Sequence, residues 1–60
     1  MTITKSTQIS MRYGTARYEV EGTSLTVEGL EKRFAGEGPF GVDVRVSADG
    51  TSADVTCYYD

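Results

Sequence analysis

The dipeptide Asp49-Gly50 stands between two runs that alternate apolar and polar residues, in "FGVDVRVSADGTSADVTCYYD". No other feature constrains this chain of 60 residues so tightly. Val42, Val44 and Val46 share one parity, against Asp43, Arg45 and Ser47 on the other. Beyond the Asp-Gly pair, Ala53, Val55, Cys57 and Tyr59 share a face opposite Asp54, Thr56 and Tyr58. Period-two alternation on both sides of Asp-Gly predicts a β-hairpin, with strands at 41–47 and 52–59.

A second hairpin is predicted at the N-terminal end. Ile9, Met11 and Tyr13 alternate with Gln8, Ser10 and Arg12, while Ala16, Tyr18 and Val20 alternate with Arg17, Glu19 and Glu21. Gly14-Thr15 between them suits a two-residue type II′ turn, whose first central residue needs φ > 0. That turn pairs Tyr13 with Ala16, Arg12 with Arg17 and Met11 with Tyr18. Every pair then agrees about the apolar face. The tyrosines of the repeated Arg-Tyr fall on the core side and the two arginines oppose each other outside. Residues 1–7 read as a flexible or strand-extending segment, because Ile3 has the parity of Ile9.

Between the hairpins, "LTVEGLEKRFAG" reads as one short helix. Thr26 is a good N-cap, and Leu25 with Leu30 fits a hydrophobic staple. Glu28 lies in the first turn and Lys32 and Arg33 near the last, as the helix dipole favours. Gly36 and Pro39 stop it. Val27, Leu30 and Phe34 form one apolar stripe, so the helix must lie on a sheet. An alternative makes Ser24–Val27 a strand and starts the helix near Glu28.

The expected fold is therefore α+β, a single domain over residues 1–60 in the order ββαββ, with the helix on one face of a four-stranded sheet. This order resembles the β-grasp of ubiquitin-like proteins and of the small bacterial immunoglobulin-binding domains. The resemblance implies that the first and last strands lie side by side in parallel. It rests on element order and length, and carries over no functional residue. A purely antiparallel sheet with one helix is the competing topology.

Several kinds of chemistry are disfavoured. The chain has no histidine, hence no Ser-His or Cys-His nucleophile. One cysteine without histidine cannot build a structural zinc site, and "SADGTSAD" lacks the spacing of a calcium loop. No metal or cofactor is expected. "GEGPFG" lacks the Lys-Ser/Thr of a phosphate loop. Cys57 alone makes no internal disulfide and fits a buried strand position in a reducing compartment. No apolar run approaches the roughly 20 residues of a membrane span, and the N-terminus has no secretory pattern. A cytoplasmic product is expected.

The net charge of −3 is unevenly distributed. Residues 1–18 contain Lys5, Arg12 and Arg17 and no acid; the remainder contains all nine acids against Lys32, Arg33 and Arg45. The sheet face away from the helix is expected to carry Ser10, Arg12, Arg17, Glu19, Asp43, Arg45, Asp54, Thr56 and Tyr58. β-grasp order would place Arg12 beside Tyr58. The expected function is non-catalytic: a small acidic module that binds another protein, a stand-alone inhibitor or modulator of the phage or mobile-element type. The candidate contact residues are Arg12, Arg17, Arg45, Tyr58, Asp43 and Asp54. A homodimer through an open edge strand is a further option. The alternative is a nucleic-acid-binding sheet face built on Arg12, Arg17 and Tyr58, disfavoured by the acids among them. Glu28, Glu31, Glu37, Asp43, Asp49, Asp54 and Asp60 could instead mimic nucleic-acid charge toward a basic partner.

Overall fold

A computed structural model describes residues 1–36 and 38–59. It contains β1 (Thr2–Arg12), β2 (Thr15–Thr23), α1 (Val27–Ala35), β3 (Gly41–Val46) and β4 (Ser52–Tyr58). The expected α+β class and ββαββ order are both present. The four strands form one antiparallel sheet in the order β1-β2-β4-β3.

This order corrects the β-grasp expectation. β2, not β1, lies beside β4, and it does so antiparallel. The cause lies in the inner-face residues. β2 presents Ala16, Tyr18 and Val20, and β4 presents Ala53, Val55 and Cys57; five of these six are buried and Tyr18 partly so. Such strands belong at the centre. β1 turns Ser6 and Gln8 to the same side, opposite Val20 and Tyr18. A strand with that inner face is stable only at an edge.

The core gathers Val20, Leu25, Leu30, Phe34, Ala53, Val55 and Cys57, flanked by Ile3, Tyr18, the three valines of β3 and Tyr59. Leu30 is fully buried; burial of a leucine contributes about 1.5–3 kcal/mol. The Phe34 ring meets Tyr18 at 5.1 Å between centroids. Val27, expected on this stripe, is exposed instead.

Helix entry follows the sequence reading. The Thr26 hydroxyl accepts from the Gly29 N–H at 3.0 Å. β2 ends at Thr23, so Ser24–Val27 is helix entry and not strand. Gly29 has a packing reason. A β-carbon there would come within 2.8 Å of the Thr26 hydroxyl and 2.9 Å of the Met1 sulfur. Met1 and Ile3 thus lie against the helix and core at the start of β1, and Thr2–Thr7 are part of that strand.

The first hairpin departs from expectation at its turn. Tyr13 and Gly14 are the central residues, with φ of 52° and 76°. Both being positive makes the turn type I′ rather than II′. Arg12 therefore faces Thr15, and Met11 faces Ala16. Irregularities between Ile3 and Lys5 and between Gln8 and Ser10 leave Thr4 and Ile9 as bulged residues. Ile9, Met11 and Tyr13 are consequently exposed, Tyr13 to 94%, and do not form the predicted core face.

Candidate functional site

The helix covers one face of the sheet and leaves the other bare. Four rows of residues cross that outer face from β1 to β3 by cross-strand register. The first is Arg12, Thr15, Tyr58 and Gly41. The second is Ser10, Arg17, Thr56 and Asp43. The third is Thr7, Glu19, Asp54 and Arg45. The fourth is Lys5, Glu21 and Ser52. All six predicted contact residues, Arg12, Arg17, Arg45, Tyr58, Asp43 and Asp54, lie on this one face.

Two details of their placement differ from expectation. Arg12 and Arg17 do not oppose each other; Arg17 faces Ser10 on one side and Thr56 on the other. Arg12 and Tyr58 are not adjacent, because Thr15 stands between them. The Arg12 guanidinium instead lies 5.6 Å from the centroid of the Tyr13 ring, a cation–π arrangement.

The face has two unlike ends. At the Arg12 end, the Tyr58 ring meets Phe40 at 6.4 Å between centroids, and Phe40 is 74% exposed. The Phe40 N–H donates to the Tyr58 carbonyl at 2.8 Å, and the Tyr59 N–H donates to the Gly14 carbonyl at 2.6 Å. These bonds hold the start of β3 and the first hairpin's turn at the end of β4. Two arginines and three exposed aromatic rings, of Tyr13, Phe40 and Tyr58, share this corner. The opposite end is a shallow concavity of about 530 Å³ lined by Lys5, Glu19, Glu21, Arg45 and Asp54 among others. Acids outnumber bases among these five residues.

Comparison of the chain with protein-family models, with curated proteins and with solved structures finds no match. Its chemistry is therefore read from its own side chains.

Phe40 and Tyr13 are the site residues that sequence reasoning missed. Phe40 has the parity of the inward valines, but β3 starts one residue later, at Gly41. Alternation carries no signal for it. Tyr13 was expected in the core and stands in the turn. The acidic set is divided. Asp43 and Asp54 lie on the outer sheet face, Glu28 and Glu31 on the helix across the molecule, and Asp49 in the β3–β4 turn. Glu37 and Asp60 lie outside the described residues. The described acids thus form no single stripe. Cys57 is buried as expected. Among the described residues, no helix is long and apolar enough to cross a membrane.

Proposed function

We propose that this chain is a non-catalytic, small acidic protein-binding module, a stand-alone inhibitor or modulator of a larger protein machine, of the kind phages and mobile elements encode. It engages its partner through the outer face of the sheet. The observation that carries this reading is that the face carries Arg12, Arg17 and three exposed aromatic rings at one end, and Glu19, Glu21 and Asp54 against Lys5 and Arg45 at the other. A partner of opposite layout would be held in one orientation, since charge complementarity fixes register and rejects wrong partners. Exposed tyrosine and arginine are the residue types that anchor protein interfaces. The concavity is open and shallow, unlike the enclosed sites that shift pKa values for catalysis.

Capture of tagged protein from nuclease-treated lysate of its own host tests this, with the Arg12→Ala/Arg17→Ala double variant alongside. One protein partner retained after nuclease and lost by the double variant is the expected result. Equal recovery by the double variant removes the arginine end from the contact.

A second reading has its own support. Tyr58 and Phe40, on the same corner of the sheet as Arg17 and, across Thr15, Arg12, form a platform on which a nucleobase could stack. That reading requires binding of single-stranded nucleic acid that weakens steeply with salt. The Glu19–Asp54 row opposes it, because a strand crossing the face would bring phosphates against two carboxylates.

A further inference from the structure

β1 is an edge strand of 11 residues, and all of them except the half-buried Ile3 are exposed. One side of its backbone pairs with β2; among the described residues, the other has no neighbouring strand. Near its start, the Met1 side chain lies against the helix at Gly29, and Ile3 packs against the core. A small cleft of about 70 Å³, lined by Ile3, Ser6, Tyr18, Arg33 and Phe34, opens the core on this flank.

The residues of this edge are self-complementary. With the bulged Thr4 and Ile9 set aside, nine positions remain, centred on Thr7. A twofold axis through Thr7 pairs Ile3 with Met11 of a second copy, Ser6 with Gln8, Lys5 with Ser10 and Arg12 with Thr2. Apolar meets apolar on the inner face, polar meets polar, and no like charges oppose each other. Other registers lose this match: one that pairs Lys5 with Arg12 sets base against base, which is destabilising. In the twofold register Met11, which is 66% exposed, covers the neighbouring copy's Ile3 at the open flank of its core.

We infer that a second copy of this chain pairs antiparallel along β1, about a twofold axis at Thr7, to give one continuous eight-stranded sheet. The two outer faces lie on the same side of that sheet and stay open. The inference stands on the edge and is independent of the sheet-face reading. Eleven residues span roughly 36 Å, and a contact one strand edge wide is small beside the ~1,200 Å² of a stable interface. The dimer is accordingly weak and reversible. Closed twofold symmetry uses up the free β1 edges, so pairing through β1 stops at two copies.

The test combines mass and cross-linking. Sedimentation equilibrium of the full chain should show a weight-average mass rising with concentration from monomer toward dimer. Facing strand residues lie about 4.5–5.5 Å apart at Cα, within disulfide reach. Under mild oxidation, Thr7→Cys should therefore form a covalent dimer, while Ser10→Cys, which faces Lys5 of the second copy, should do so at least tenfold more slowly. Both positions are exposed, and Cys57 is buried away from the reaction. A monomer mass throughout the concentration range would overturn the inference. So would equal cross-linking of the two variants, or a mass that climbs past the dimer without a plateau.

Discussion

Glu19 stands directly across the strand pair from Asp54, carboxylate opposite carboxylate. Arg45 flanks Asp54 on the far side, but Glu19 has only Thr7 on its own. Like charges directly opposed on a sheet destabilise it by a few tenths of a kcal/mol. Glu19→Lys converts the repulsion into an attraction. It should stabilise the fold by about 0.5 kcal/mol, which is roughly 2–4 °C in the unfolding midpoint of a small domain. Circular dichroism melts in low salt would show the rise, and about 1 M salt should erase it. An unchanged midpoint in low salt would show that the pair does not interact.

The same row gives the proposed partner an approach. If the acidic end contacts a basic surface, Glu19→Lys should slow association as well as stabilise the free protein. The association rate, measured by stopped flow against the captured partner, should fall more than the dissociation rate changes, as for peripheral charges elsewhere. A normal rate would remove the acidic end from the interface.

Tyr13 holds φ of 52° without being glycine. The left-handed region costs an ordinary L-residue about 1 kcal/mol, and Asn-Gly is the preferred pair for a type I′ turn. Tyr13→Asn should therefore stabilise the hairpin by about 0.5–1 kcal/mol. Gly14→Ala should do the reverse. Its φ is +76°, and a methyl there would meet the Tyr59 carbonyl oxygen at 2.7 Å. Urea unfolding of both variants would measure the two opposite shifts. A destabilised Tyr13→Asn would mean that the Arg12–Tyr13 stack outweighs the turn strain.

Features set by neighbours in sequence were legible. The Asp49-Gly50 hairpin, the Thr26 cap and the inward parity of Val55 and Cys57 each follow from residues a few positions apart. Features decided by competition between distant segments were not. Gly14 satisfies either the first position of a type II′ turn or the second of a type I′ turn, so the glycine alone cannot set the register. The bulges at Thr4 and Ile9 reverse the parity of β1 without any glycine or proline to mark them. Strand order turned on Ser6 and Gln8, which are too polar for a central strand once β2 and β4 are both available. For the outer face, parity located Arg17, Asp43, Arg45, Asp54 and Tyr58. The spacing of Arg12 from Tyr58 depended on strand order, and Phe40 on where β3 begins.

Leu30 is the fold's most vulnerable position. It is fully buried at the centre of the helix and packs in a core where, among the described residues, only six other buried side chains cluster. Leu→Ala at such a site costs about 2–5 kcal/mol, and a chain this short rarely has more than about 3–5 kcal/mol in all. Leu30→Ala should be largely unfolded at room temperature, seen as loss of the strand and helix signals in circular dichroism. Val27→Ala, one turn earlier and exposed, should melt within a few degrees of the parent. Alanine raises helix propensity at both positions, so similar losses in both would mean that burial does not set Leu30 apart from Val27.

Asp49 links stability to pH. Its carboxylate accepts from the Ser47 hydroxyl at 2.7 Å, the Thr51 hydroxyl at 2.8 Å and the Thr51 N–H at 3.1 Å. Ser47 contributes most, then Thr51, and together they hold the carboxyl below its ordinary range. The folded chain therefore prefers the ionised form more than the unfolded chain does. That contribution is complete above the unfolded value of about 4. It disappears as pH falls through the lowered folded value. Asp49→Asn lacks the charge at every pH. The parent should exceed this variant in urea midpoint near neutrality, and the gap should narrow as the pH is lowered toward about 2. A gap of constant size would show that hydrogen-bond geometry alone, without the carboxylate charge, holds the β3–β4 turn.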